Sequence, residues 1–158
     1  MRIGLGPSVV QTQSEFTLGS ALITGNNSTF SGAGNWAGAN LGTFDVNSTI
    51  AGKMYMLGDG GNDYATLPAG NLPLTVGARY KCTLKARLNA GVSKTIRVGQ
   101  ITGAASNYFE ITPTGTEQEF YGYFTAYASG INIGLATAQG GFNTRAFEID
   151  DVTLQAVT

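Results

Sequence analysis

The chain has 158 residues, with 23 glycines, one cysteine, no histidine and a net charge of −1; a domain of this length buries about 70% of its unfolded surface and folds without disulfides or metal. The missing histidine excludes Ser-His and Cys-His catalysis and histidine metal ligation, and the single Cys82 excludes internal disulfides and thiolate zinc sites. Charged residues are only 12%, which leaves no electrostatic footprint for nucleic acid or an acidic membrane surface.

Neutral polarity takes the place of charge: there are 19 Thr, 9 Ser, 11 Asn and 6 Gln. With 42% apolar residues this is not a disordered composition. Thr, Tyr, Phe and Val favour strands, and Gly and Asn favour tight turns, so an all-β chain is expected. Residues 1–14 carry few apolar positions and read as an N-terminal arm, with the folded domain spanning 15–158. Residues 1–7 lack the apolar core of a secretory signal. No run approaches the roughly 18 apolar residues of a membrane span. The expectation is therefore synthesis in a cytoplasm and no membrane partner. Asn27-Ser28-Thr29 and Asn47-Ser48-Thr49 match the glycosylation pattern and are read as loop polarity.

No window keeps a helical apolar period, so no helix is expected. Strands are expected over 16–23, 41–46, 53–57 and 63–67, the last two as a hairpin around the loop 58–63. That loop, Gly58-Asp59-Gly60-Gly61-Asn62-Asp63, resembles one turn of a glycine-aspartate calcium repeat, but such sites need stacked copies and one is present. Over 80–88, Tyr80, Cys82, Leu84, Ala86 and Leu88 alternate with Lys81, Thr83, Lys85 and Arg87, the period of a strand with one buried face. Residues 92–98 follow the turn Asn89-Ala90-Gly91 and are expected to complete a hairpin with it. Further strands are expected over 108–111, 119–127 with Phe120, Gly122, Phe124 and Ala126 inward, and 131–135 after the turn Ala128-Ser129-Gly130. In the last strand, 146–156, Phe147 and Ile149 share one parity and Val152 and Leu154 the other. One extra residue at Asp150-Asp151 reconciles them, which predicts a β-bulge. Short strands with frequent glycine turns predict an all-β fold of two antiparallel sheets, a β-sandwich or jelly roll.

Four motifs, in order, resemble those of carbohydrate-binding-module-like jelly rolls, and the resemblance implies the jelly-roll β-sandwich. Asn27-Ser28-Thr29-Phe30-Ser31-Gly32 with Asn35-Trp36 is similar to the family's N-G-x-F-x-x-G…W opening, and Leu74–Tyr80 to its L-x-x-G-x-x-Y. Phe124-Thr125-Ala126 and Ile149-Asp150-Asp151-Val152-Thr153-Leu154 resemble its F-T-A and closing I-D-D-V-x-L. Domains of this kind serve as sugar binders on glycoside hydrolases and also recur in bacteriophage virions. The resemblance further implies a calcium ligand at Asp150, with Glu15 as a second carboxylate and backbone carbonyls completing a shell of six to eight oxygens. The alternative is that an Asp pair beside a bulge satisfies backbone N–H groups, and no cofactor is expected.

The candidate binding residues are aromatic and basic. If Phe120 and Phe124 face the core, Tyr121, Tyr123 and Tyr127 form an exposed stripe, able to pack on pyranose faces or to bury itself in a protein interface. Arg79, Lys81, Lys85, Arg87, Lys94 and Arg97 place six positive charges across 79–97 with no acid between them. They read as the outward face of the expected hairpin, either solvated to discourage edge pairing or docked on an acidic lattice. Asp150 and Asp151 are adjacent, so a regular strand would send them to opposite faces rather than form a facing acid/base pair. The expectation is a non-enzymatic bacteriophage virion protein. It would be a capsid decoration (cement) protein binding the major capsid protein through its arm and exposed faces, as a homo-oligomer such as a trimer. The alternative is a glycan-binding module, within a tail fibre or on a virion surface.

Overall fold

The computed structural model describes residues 16–58, 63–101, 107–134 and 145–158. The described strands are β1 (Leu18–Ala21), β2 (Ala37–Ala39), β3 (Leu41–Val46), β4 (Met54–Gly58), β5 (Tyr64–Leu67), β6 (Arg79–Ala90), β7 (Ile96–Gln100), β8 (Asn107–Ile111), β9 (Gln118–Thr125), β10 (Ile131–Gly134) and β11 (Ala146–Val157). One sheet runs β3-β4-β11-β6-β9, with β1 added beside the second half of β11; the other runs β2-β5-β10-β7-β8. Every pairing among the described strands is antiparallel. The chain crosses repeatedly from one sheet to the other, as a jelly-roll sandwich requires.

Alternation builds the core between the sheets. On β6, Tyr80, Cys82, Leu84 and Ala86 are buried, and they share the inner face of their sheet with Phe147, Ile149, Val152 and Leu154 of β11 and Phe124 of β9 in one cluster. Met54, Leu67, Ile96 and Ile131 complete it from other strands. Each such large side chain stabilises the fold by about 1.5–3 kcal/mol through the apolar surface it removes from water. The sheets approach closely at Gly122 of β9, where an added Cβ would overlap the ring of Phe109 on β8.

The predicted bulge is present. Asp150 pairs with Lys85 and Thr153 with Thr83, so Asp151 and Val152 together oppose Leu84 alone. Asp151 takes φ 48, a left-handed conformation that Asp tolerates better than most residues. Its N–H is held by the Asp150 carboxylate at 2.7 Å. The extra residue keeps Ile149 and Val152 both in the core, as their opposite parity demanded.

The four motifs are absorbed by the fold. Tyr80 stacks on Phe124 at 5.9 Å, and its hydroxyl accepts from Thr75 N–H at 2.8 Å, tying the loop before β6 to the strand. Gly77, at φ 85, donates to Ala126 C=O, and Ala126 N–H to Ala78 C=O, so the second and third motifs meet in space. Trp36 is buried beside Phe30 and donates to Asn27 C=O at 2.8 Å. The side chains of Asn27 and Asn47 accept from Asn35 N–H and Gly52 N–H, so both glycosylation-pattern asparagines hold loops together.

Three expectations need correction. Residues 80–88 and 92–98 do not form a hairpin: β6 and β7 lie in opposite sheets. Both edges of β6 are occupied, by β11 and β9, so no place remains beside it. For the same reason 53–57 and 63–67 form no hairpin, since β4 lies between β3 and β11 while β5 is in the other sheet. A short polar loop reads the same whether the chain turns back beside itself or crosses the sandwich. Helix is also present: α1 (Asn26–Thr29) is a single turn ended by Phe30 at φ 51, and Ala69–Asn71 forms a 3-10 turn. Both are shorter than any window in which helical period is legible. Strand β2, three residues of Ala and Gly, carries no alternation and was not anticipated. The arm 1–14, Glu15, loop residues 59–62 and Leu135 lie outside the described residues.

Candidate functional site

The outward side chains of β6 divide one face of the six-stranded sheet into two halves. In the first half, acids from β11 neutralise the cations. Arg87 grips Glu148 with Nε and Nη2 at 2.5 and 2.8 Å, and the Glu148 side chain is fully buried. Glu148 raises the Arg87 guanidinium above its ordinary value, against a smaller opposing effect of burial. Lys85 pairs with Asp151 at 2.6 Å, and the hydrogen bond to that carboxylate raises its pKa. Lys53, just before β4, bridges Glu117 and Asp150. Burial there lowers its pKa, but the two carboxylates outweigh burial and the net shift is upward. The bulge thus turns both Asp150 and Asp151 to this outer face, not to opposite faces as a regular strand would.

The second half is aromatic. Tyr121 is 63% exposed and Tyr123 36%, their rings meeting edge to face at 6.4 Å. Lys81 Nζ stands 4.9 Å from the centre of the Tyr121 ring, and the Arg79 guanidinium 4.6 Å from that of Tyr123. Phe16, 60% exposed, also has its ring against the Arg79 guanidinium, at 5.4 Å. The expected inward Phe124 and Ala126 are buried, and Phe120 packs at the core's edge, which leaves the tyrosines outside.

Structure and sequence therefore group the candidates differently. Tyr121, Tyr123 and Lys81 come together. Lys85 and Arg87 stand apart, committed to Asp151 and Glu148. Tyr127 lies past the end of β9, where its N–H and that of Ala128 bond to the buried side chain of Gln100. Arg97, expected beside them, is on the other sheet. There it covers the Tyr108 ring at 4.3 Å and pairs with Glu110 at 3.0 Å. That second aromatic cluster was not anticipated; its signal is the alternation of Tyr108 and Glu110 against Phe109 and Ile111. With its arginine stacked, paired and only 16% exposed, it offers less free surface than the Tyr121–Tyr123 platform. Among the described residues no group of three acidic, cysteine or histidine side chains converges on one point, and no helix is long and apolar enough to cross a membrane.

No family model and no curated protein matches the sequence. Solved structures do match. The CBM22-1 xylan-binding domain of Xyn10C from Paenibacillus barcinonensis is 14% identical, with a TM-score of 0.64 over 89% of this chain and 96% of that one. The fold is that of a carbohydrate-binding module. The N-terminal cellulose-binding domain of Cellulomonas fimi β-1,4-glucanase C is 19% identical, with a TM-score of 0.56 over 82% of this chain and 93% of that one. The CBM22-1 and GH10 modules of Clostridium thermocellum Xyn10B, complexed with xylohexaose, are 17% identical, with a TM-score of 0.57 over 90% of this chain and 29% of that one.

Proposed function

We propose that this chain is a non-catalytic glycan-binding module whose binding platform is the outer face formed by Tyr121, Tyr123 and the cations beside them. The observation that carries the reading is the exposed tyrosine pair. A strand that buries its phenylalanines while presenting two adjoining rings to water leaves apolar area that a ligand can cover. Sugar rings have apolar faces that stack on such a surface, and the tyrosine hydroxyls supply polar handles for sugar hydroxyls. The fold supports the same reading, because its neighbours are named for xylan and cellulose binding. They give no support to the capsid-decoration role or the trimer expected from the sequence, so the glycan-binding alternative is carried forward.

The test is a glycan array followed by titration calorimetry, with xylohexaose and cellohexaose among the first oligosaccharides. Tyr121→Ala and Tyr123→Ala should each weaken binding roughly tenfold, which is about 1.4 kcal/mol, without altering the unfolding midpoint. An array on which the protein binds no glycan overturns the function. Full affinity in the double tyrosine variant overturns the site.

A further inference from the structure

The glycan-binding reading leaves the class of glycan open, and the charge pattern around the tyrosines bears on it. Four cations alternate along one face of β6, but their surroundings differ by register. Lys85 has Asp150 directly across on β11 and Glu119 across on β9, and Arg87 has Glu148. Lys81 lies between Gln155 and Tyr123, and Arg79 between Val157 and Thr125. Every cross-strand neighbour of these two cations is therefore uncharged. No carboxylate among the described residues lies within ion-pairing distance of either, whereas Lys85 and Arg87 both have one.

Among the described residues, the contacts that Arg79 and Lys81 make leave their donors free. A cation above a ring is attracted by the ring's electron-rich face but donates no N–H to it in the way it does to an oxygen. The ammonium has three donors and the guanidinium five. Two residues apart on one strand face, the two groups are spaced by about 6.6 Å along the chain direction. A ligand lying across Tyr121 and Tyr123 meets both.

Resting on the glycan-binding reading, we infer that the platform selects an anionic glycan, one whose sugars carry carboxylates in the manner of uronic acids. The rings of Tyr121 and Tyr123 would stack on the pyranoses while Arg79 and Lys81 take the acid groups through charge-assisted hydrogen bonds. A guanidinium matches a carboxylate with two parallel N–H bonds, and it matches a sulfate ester by the same geometry. The experiment therefore includes both anions.

Affinity electrophoresis is run on the full chain in gels containing glucuronoxylan, the same polysaccharide after chemical reduction of its carboxyl groups, and dextran sulfate. Glucuronoxylan should retard the protein at roughly one-tenth the concentration needed for the carboxyl-reduced form. The paired substitution Arg79→Gln and Lys81→Gln should abolish that difference, bringing retardation by glucuronoxylan to the level of the carboxyl-reduced form. Tyr121→Ala should weaken both. Stronger retardation by dextran sulfate than by glucuronoxylan, lost in the same variants, assigns the anion as sulfate and upholds the anionic selection. Equal retardation by glucuronoxylan and its reduced form, without a sulfate preference, overturns the selection and leaves a neutral-glycan module standing. Retardation that depends on the cations but not on Tyr121 overturns it too, as simple ion exchange. Binding to none of the three polysaccharides, nor to any glycan on the array, overturns both readings together.

Discussion

Replacing Arg87 by methionine isolates the most buried charge on the sheet face. Glu148 has no solvent exposure at its side chain and takes two hydrogen bonds from Arg87, at 2.5 and 2.8 Å. Removing one partner of a buried pair costs about 3–5 kcal/mol, because the remaining charge keeps its desolvation penalty without its counter-charge. The Arg87 side chain is itself 38% exposed, so water can follow where the guanidinium leaves, and the low end applies. Arg87→Met should lose about 3 kcal/mol, or roughly 6–12 °C in Tm for a domain of this size. Urea unfolding followed by the fluorescence of Trp36, the single and buried tryptophan, reads this directly. Adding Glu148→Met should recover most of the loss, since an apolar pair of similar volume carries no stranded charge. A single variant that loses under about 1 kcal/mol, or a double variant no more stable than the single, refutes the reasoning.

Two further predictions concern the core. Gly122→Ala should destabilise by about 1–3 kcal/mol, because its methyl meets the Phe109 ring across the sandwich; in a double-mutant cycle with Phe109→Ala the losses should be less than additive, and strict additivity would show that the sheets do not touch there. Burial pushes the Cys82 thiol from 9.0 up to about 12. The folded value is the higher one, so the unfolded chain releases its proton first. The stabilising effect is whole below pH 9 and is lost between 9 and 12 at about 1.4 kcal/mol per pH unit. From pH 7.5 to about pH 10.5 the wild type should therefore lose about 2 kcal/mol more than Cys82→Ala in urea unfolding. Equal losses would falsify the burial argument.

What could be read from the sequence was whatever depends on neighbours a few residues away. Alternation on 80–88 gave the inner face of β6, and alternation around Phe120 and Phe124 placed Tyr121 and Tyr123 outside. The parity break at Asp150-Asp151 gave the bulge, because a strand cannot bury both Ile149 and Val152 without an extra residue between them. These are period-two arguments, local to one strand. Which strand lies beside which is a different matter. A loop of a few polar residues permits either a hairpin or a crossing, so local pattern does not reveal that β6 and β7, or β4 and β5, lie in opposite sheets.

The site suffered the same division. Six cations over 79–97 looked like one basic face because the acids that answer them are distant in sequence; Glu148 is 61 residues from Arg87. Only the tertiary arrangement, with β11 laid along β6 in a register broken by the bulge, decides which cations are neutralised and which are left over tyrosine rings. Charge composition is a property of the chain, but charge pairing is a property of register. Register is set by the packing of the whole sandwich, and no single strand of this protein carries it.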